Sequence, residues 1–360
     1  MPLYLLDMDT VTQMALGAVI GQAVGHKKLG YKAALYGALG GLIPDLDVLA
    51  TRFLGPYGTW QYHRHITHSL FFAPVVAPLL ASLAWRAHKK VKGHYKTYLW
   101  VFLLSIFTHP LLDTLTVYGT MLLAPFSNER FTVSAVSIID PIYTFILFAS
   151  LLLPISKRFR AHTGKIALTA LMLSTVFLAY CLHQNTKAEK IVAAQLAEQN
   201  IKADKVSVYT TIFQPHLRRA VVRQTVEDRE LLRVGFVSSL NPQPIVWACQ
   251  WQDRQAFQDM VFQTEGGRVF DWFADHELSF VRLDNRLVVM DARYGTPGPS
   301  VFGFWGLEFT LQGELIDVNQ EPVFVRTPRD ATKEAISELF KASYGLPNNF
   351  LLKENQDCPA

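Results

Sequence analysis

Charge is what this chain has least of. Asp, Glu, Lys and Arg make up 18% of its 360 residues while half are hydrophobic, against a charged fraction of about 25% in ordinary soluble domains. A cytosolic globule is excluded on that ground. The shortage is sharpest for acids in the first half: residues 1–185 hold 15 Lys and Arg but only 7 Asp and Glu, whereas residues 186–360 hold 19 and 23. Cysteine is also scarce. Cys181, Cys249 and Cys358 offer neither zinc-ribbon spacing nor a disulfide framework, and Cys249 and Cys358 would pair only if the second half sits in an oxidising compartment. Internal repeats and low-complexity tracts are missing. The net charge of +4 does not point to nucleic acid, because the surplus base lies between apolar runs, where it reads as membrane topology.

Those runs cover Val11–Val24, Ala33–Ala50, Ser69–Trp85, Tyr98–Leu115, Ile138–Ile155 and Ile166–Leu182, several close to the roughly 20 residues that span a bilayer. The expectation is an α-helical membrane bundle of about six transmembrane helices over residues 1–185, followed by a soluble α+β domain over 186–360. Gly17 and Gly21 in the first run stand at the spacing of a helix packed tightly against a neighbour. Asp7 and Asp9 precede that run in place of a basic leader, so it does not read as a cleavable signal. An amphipathic connector, Lys187–Asn200, leads to alternating strand patterns at Val206–Phe213, Ala220–Val226 and Arg286–Arg293, with helical patterns at Arg254–Thr264 and Arg329–Ala342. His216 and His276 are isolated there and read as structural.

The loops set the orientation. Lys27, Lys28 and Lys32, then Arg86, Lys89, Lys90, Lys92 and Lys96, then Lys157, Arg158, Arg160 and Lys165 fall on one side, against Arg52, Arg64 and Arg130 on the other. The positive-inside rule then puts the N-terminus and everything after the sixth run outside the cytoplasm.

Ionised groups are costly inside apolar segments and demand a reason. Asp45 and Asp47 close the second run in Pro44-Asp45-Leu46-Asp47; His63, Arg64, His65, Thr67, His68 and Ser69 open the third; His109 and Asp113 end the fourth; Asp140-Pro141 opens the fifth. In the topology above all four groups meet at the outer face. His109 and Asp113 are one helical turn apart on one face, an arrangement suited to a metal ion. Imidazoles mixed with carboxylates suit zinc, with manganese or magnesium as alternatives. Such a site lowers the pKa of bound water to roughly 7 and polarises a carbonyl or phosphoryl oxygen. Capping is the competing explanation for each group alone, and for Asp140 an N-cap before a proline at N1 is sufficient. Asp9, Thr12 and Gln13 lie on the same side and could join the site.

These residues resemble the YdjM-type metal-dependent hydrolases of the bacterial inner membrane over roughly residues 8–150. The likeness runs through Met8-Asp9-Thr10-Val11-Thr12-Gln13, Pro44-Asp45-Leu46-Asp47, His63-Arg64, Thr67-His68-Ser69, His109-Pro110-Leu111-Leu112-Asp113 and Asp140-Pro141. The resemblance implies a membrane-embedded hydrolase with Asp45, Asp47, His63, His68, His109 and Asp113 as metal ligands. His65 stands where that pattern would have a small residue. The mix of His and Asp is also similar to zinc phospholipases C and single-strand zinc nucleases, which favours phosphoester substrates.

The reading is therefore an inner-membrane enzyme that uses metal-activated water at the outer face to cleave a phosphoester or ester of a lipid or lipid-linked substrate. Asp47 would be a ligand or base and Arg64 would orient the anionic substrate, with the second domain as a cap. The alternative is a non-enzymatic envelope protein with a structural metal, whose soluble domain binds a partner. A transporter is disfavoured because the groups gather at one face rather than at the midplane.

Overall fold

The computed structural model describes residues 8–51, 53–88, 94–295, 303–318, 320–326, 333–346 and 358. Arg52, Lys89, Lys90, Lys92 and the first residues of the expected 329–342 helix lie outside the described residues, as does the side chain of Asp9. The chain divides into two compact units, Met1–Tyr180 and Cys181–Ala360.

The first unit is helical: α1 Met8–Leu29, α2 Lys32–Leu42, α3 Asp47–Thr51, α4 Gly58–Tyr62, α5 Phe72–Ala87, α6 Tyr95–Asp113, α7 Pro141–Leu152 and the start of α8 Thr163–Glu198. Helices α1 and α2 approach almost backbone to backbone. A Cβ added at Gly17 would lie 2.1 Å from the Gly37 carbonyl oxygen, and one at Gly41 would lie 2.2 Å from that of Gln13. Only glycine permits that approach, the small-residue packing expected of helices in a bilayer. Ala15, Leu16, Val19 and Ile20 of α1 form a buried core with Leu112, Tyr143, Leu147, Ala167 and Ala170.

Six full crossings are not what the described residues provide. One helix, over Arg160–Glu198, is long and apolar enough to cross a membrane, or up to three spans exist if each bent helix pair is one. The physical reasons are local. The run Ala33–Ala50 breaks at Pro44, which opens a short 3-10 turn, Pro44–Leu46, and the two parts are bent by 45°. The segment Gly58–His68 meets α5 at 68°. Helix α6 carries His109 and Asp113 within its 19 residues, and α7 stops after 12.

The second unit is sheet-rich. Strands β1 Lys205–Thr210, β2 Leu217–Val226, β3 Arg229–Ser238 and β4 Ala248–Trp251 form an antiparallel sheet in sequence order. Between β2 and β3, Glu227 and Asp228 both have positive φ, as the two-residue turn matching strand twist requires. After α9 Arg254–Gln263 and α10 Glu265–Phe273, a second antiparallel sheet comprises β5 Leu278–Leu283, β6 Arg286–Asp291, β7 Trp305–Gln312, β8 Leu315–Ile316 and β9 Val323–Arg326, with β9 paired to β7. Helix α11 spans Lys333–Ser343. The last turns of α8 give Ala188, Val192 and Leu196 to the core of the first sheet. Cys249 on β4 and Cys358 form a disulfide.

Candidate metal centre

Three broken helices end at the same place. Asp45 lies in the 3-10 turn after α2, His68 in a second 3-10 turn, Ile66–His68, before α5, and His109 and Asp113 in the last turn of α6. Their donor atoms converge. His68 Nε2 and His109 Nε2 are 3.1 Å apart; Asp45 Oδ1 is 3.3 Å from each of them; Asp113 Oδ2 is 3.4 Å from the first and 3.6 Å from the second. A tetrahedral ion with bonds of about 2.0–2.2 Å sets neighbouring donors about 3.3–3.6 Å apart. Octahedral magnesium at about 2.0–2.1 Å would set them nearer 2.9 Å. Four of these five separations fall in the tetrahedral range and the fifth, between the two imidazoles at 3.1 Å, lies between the two geometries, so Asp45, His68 and His109 are placed where they could hold a divalent ion.

Hydrogen bonding fixes which atoms face inward. His109 Nδ1 is 2.7 Å from the Gly41 carbonyl, which can only accept, so the proton sits on Nδ1. His68 Nδ1 donates to the Thr67 hydroxyl at 3.0 Å, which in turn donates to Asp47 Oδ2 at 2.7 Å. With both imidazoles neutral, two Nε2 lone pairs would face each other at 3.1 Å, a contact that either a bound cation or a proton shared between the rings relieves. Asp113 repeats the pattern. Its Oδ1 accepts from Gln13 Nε2 at 2.9 Å and faces the Arg64 guanidinium at 3.3 Å, while its buried Oδ2 accepts no hydrogen bond. A buried polar atom left so is the exception in native structures and calls for a partner.

The remaining expected site residues stand behind this set. The Asp47 carboxylate is filled by other donors, with His63 Nδ1 at 2.7 Å on Oδ1 and Arg64 N at 3.2 Å on Oδ2 beside Thr67. Asp47 is thus an orienting partner of the His68 imidazole through Thr67, and His63 is tied to Asp47 rather than to the converging donors. Arg64 is buried; its Nη1 donates to Thr116 at 3.2 Å and its guanidinium lies over Tyr118. These contacts hold a site carboxylate instead of extending a fork outward. Its φ of 64° is a left-handed conformation that costs a non-glycine residue about 1–2 kcal/mol. The strain is held by the bond to Asp47 and by Met121 N donating to the Arg64 carbonyl. Arg130 donates to the Tyr118 carbonyl at 2.6 Å.

Asp140 is an N-cap, accepting from the backbone of Ile142 and Tyr143. His65 points to Asn128 at 3.3 Å, outside the donor set. The partner that sequence reasoning missed is the Gly41 carbonyl, whose signal was the Gly37-x-x-x-Gly41 spacing.

The first unit is thus a helical one with a buried His and Asp cluster at its helix ends and at least one helix able to cross a membrane, followed by a sheet-rich unit. The family model described as YdjM inner membrane protein matches residues 8–188, and the chain belongs to that family. Among curated relatives, Inner membrane protein YbcI of Escherichia coli (strain K12) is 37% identical over 124 residues, which cover 34% of this chain and 69% of the relative. No solved structure matches.

Proposed function

We propose that this inner membrane protein is a metal-dependent hydrolase of a phosphoester or ester in a lipid or lipid-linked substrate, with its site at the outer face. The observation that carries the reading is the convergence of Asp45, His68 and His109 donor atoms within 3.1–3.3 Å of one another, with Asp113 Oδ2 at 3.4 and 3.6 Å from the two imidazoles. Asp45, His68, His109 and Asp113 would hold the ion. A bound divalent ion supplies Lewis acidity and a nucleophile derived from water near neutral pH. Gly41 and Thr67 orient the two imidazoles, Asp47 anchors Thr67, and Gln13 and Arg64 hold the Asp113 carboxylate. Asp45 is the most exposed of the four, so it marks the side from which substrate arrives.

Orientation is argued from the Cys249–Cys358 disulfide, a bond that persists in oxidising compartments, which favours an extracytoplasmic second unit; the twelve basic residues of the three loops would add to it only in the six-crossing arrangement expected from the sequence.

Elemental analysis of the detergent-purified protein beside a His109→Ala/Asp113→Ala variant tests the reading. About one equivalent of zinc, lost in the variant together with hydrolysis of lipid phosphoesters, is the expected result. A metal-free wild type after reconstitution would overturn it. The second reading, a purely structural ion, is favoured by the donor count, because structural zinc is closed by four protein ligands while catalytic zinc keeps a position open. Cobalt-substituted protein separates the two: a visible spectrum that changes when inorganic phosphate is added marks an open position, and an unresponsive spectrum marks a closed one.

A further inference from the structure

Between Pro44 and His68 the distribution of polarity is reversed relative to a loop in water. Among the described residues the charged side chains turn inward: Arg64 is 4% exposed and His68 fully buried, and Asp47 is held by His63 and Thr67. Most of the large apolar side chains turn outward: Leu46, Leu49, Phe53, Leu54, Tyr62 and Ile66 are exposed, Phe53 to 88%, while Tyr57 is buried. So many large apolar side chains exposed within one short segment mark an interaction site. The backbone fits an apolar medium as well. Amides of Phe53, Leu54, Gly58, Gln61, His63, His65 and His68 are all bonded to carbonyls within the stretch, as a segment entering lipid needs. Outside it, Phe126 and Phe71 are also exposed and lie edge-on to each other at 5.2 Å.

We infer that the 44–68 excursion lies in the boundary between headgroups and acyl chains of the outer leaflet, and that the donor cluster opens beside Leu46 and Leu49 into lipid rather than into bulk water. The occupant of this surface is the bilayer, since the chain belongs to an inner-membrane family and the two helix pairs flanking the excursion are bent by 45° and 68° at its ends. A sharply bent apolar pair brings its connecting segment back to the interface, where an amphipathic stretch sits with its apolar side among acyl chains. This rests on the proposed function for the leaflet and for the identity of what enters, an amphiphile whose polar group reaches Asp45 while its chains stay in the membrane; the depth of the segment stands apart from it.

The test needs no activity. Leu49→Cys, Phe53→Cys and Ile66→Cys, each in a Cys181→Ala background and each carrying a bimane label, are reconstituted into phosphatidylethanolamine/phosphatidylglycerol vesicles. Asp228→Cys, on the exposed turn between β2 and β3, is the aqueous control. The expected result is at least a twofold loss of fluorescence with lipid nitroxide near the headgroup, and quenching by iodide at least threefold weaker than at position 228. Iodide quenching equal to the control, with no response to lipid nitroxide at any of the three positions, would overturn the inference. Failure of the hydrolase reading would show separately, as absent metal or absent turnover with the quenching pattern intact.

Discussion

Asp47 separates two roles that the sequence could not. Spacing alone makes Asp45 and Asp47 equal candidates, yet one offers an oxygen to the two imidazoles and the other is covered by three donors. The difference lies in a tight 3-10 turn that points two nearby carboxylates in different directions, and no side-chain pattern reports such a turn. Asp47→Asn keeps the size but loses the ability to accept from all its neighbours at once. Metal affinity should fall about 10–100-fold, as for other outer-shell partners, with helix content unchanged; chelator competition measures it. An unchanged affinity would mean that Thr67 alone fixes the His68 ring. Which residue types gather at the site was legible, because acids and histidines are so rare in the apolar half; the inward pair of arginine contacts to Asp113 and Thr116 was not, since burial of Arg64 depends on the loop after α6.

At the scale of elements, the apolar runs announced helices but not their breaks. Ala33–Ala50 reads as one span because Pro44, Asp45 and Asp47 are a minority within it, whereas the structure divides it into α2, a 3-10 turn and α3. Helix α10 went unread because Gly266 and Gly267 look like a turn; Gly267 is there because its Cβ would lie 2.0 Å from the Val261 carbonyl. The glycine contact of α1 and α2 carries its own prediction. Gly37→Ala would drive its Cβ to within 2.0 Å of the Gly17 carbonyl, forcing the helices apart at a cost of about 1–3 kcal/mol. Because Gly41 on the same helix positions His109, metal content should fall with thermal stability. Gly164→Ala is the control: its nearest neighbour is 3.8 Å away, and its effect on the unfolding midpoint should be near zero.

At the scale of the whole molecule, the second unit depends on a covalent tie and on buried charge. The disulfide joins positions 109 residues apart, and loops of that size contribute on the order of 4–5 kcal/mol by restricting the unfolded chain. Cys249→Ser should lower stability by about 2–5 kcal/mol in urea unfolding of the full chain, with the first unit's helix signal retained. Acid should act in the same direction. Burial raises the Glu277 carboxyl, but Arg223 and Lys205 outweigh it and hold the group below the usual carboxylate range. Its stabilisation is present above about pH 4.5 and is lost as pH falls through the lowered folded value. Burial, with Arg218 and Lys187 nearby, holds the His216 imidazole below its ordinary value, so the unfolded chain takes the proton first. That contribution is complete above about pH 6.5 and declines below it. The urea midpoint should therefore drop in two stages on acidification, and His216→Gln should remove the upper one.

The two facing imidazole nitrogens also bear on how the protein is made. Under the proposed metal reading, a cation would draw His68, His109, Asp45 and Asp113 together and so favour closure of α2, α5 and α6 around them. Metal supply then becomes a checkpoint in biogenesis. Chains inserted under zinc starvation should stay ajar and short-lived in a pulse-chase, cleared by membrane quality control, while chains inserted with zinc mature, so that the ion acts as the latch of assembly before it serves any later purpose.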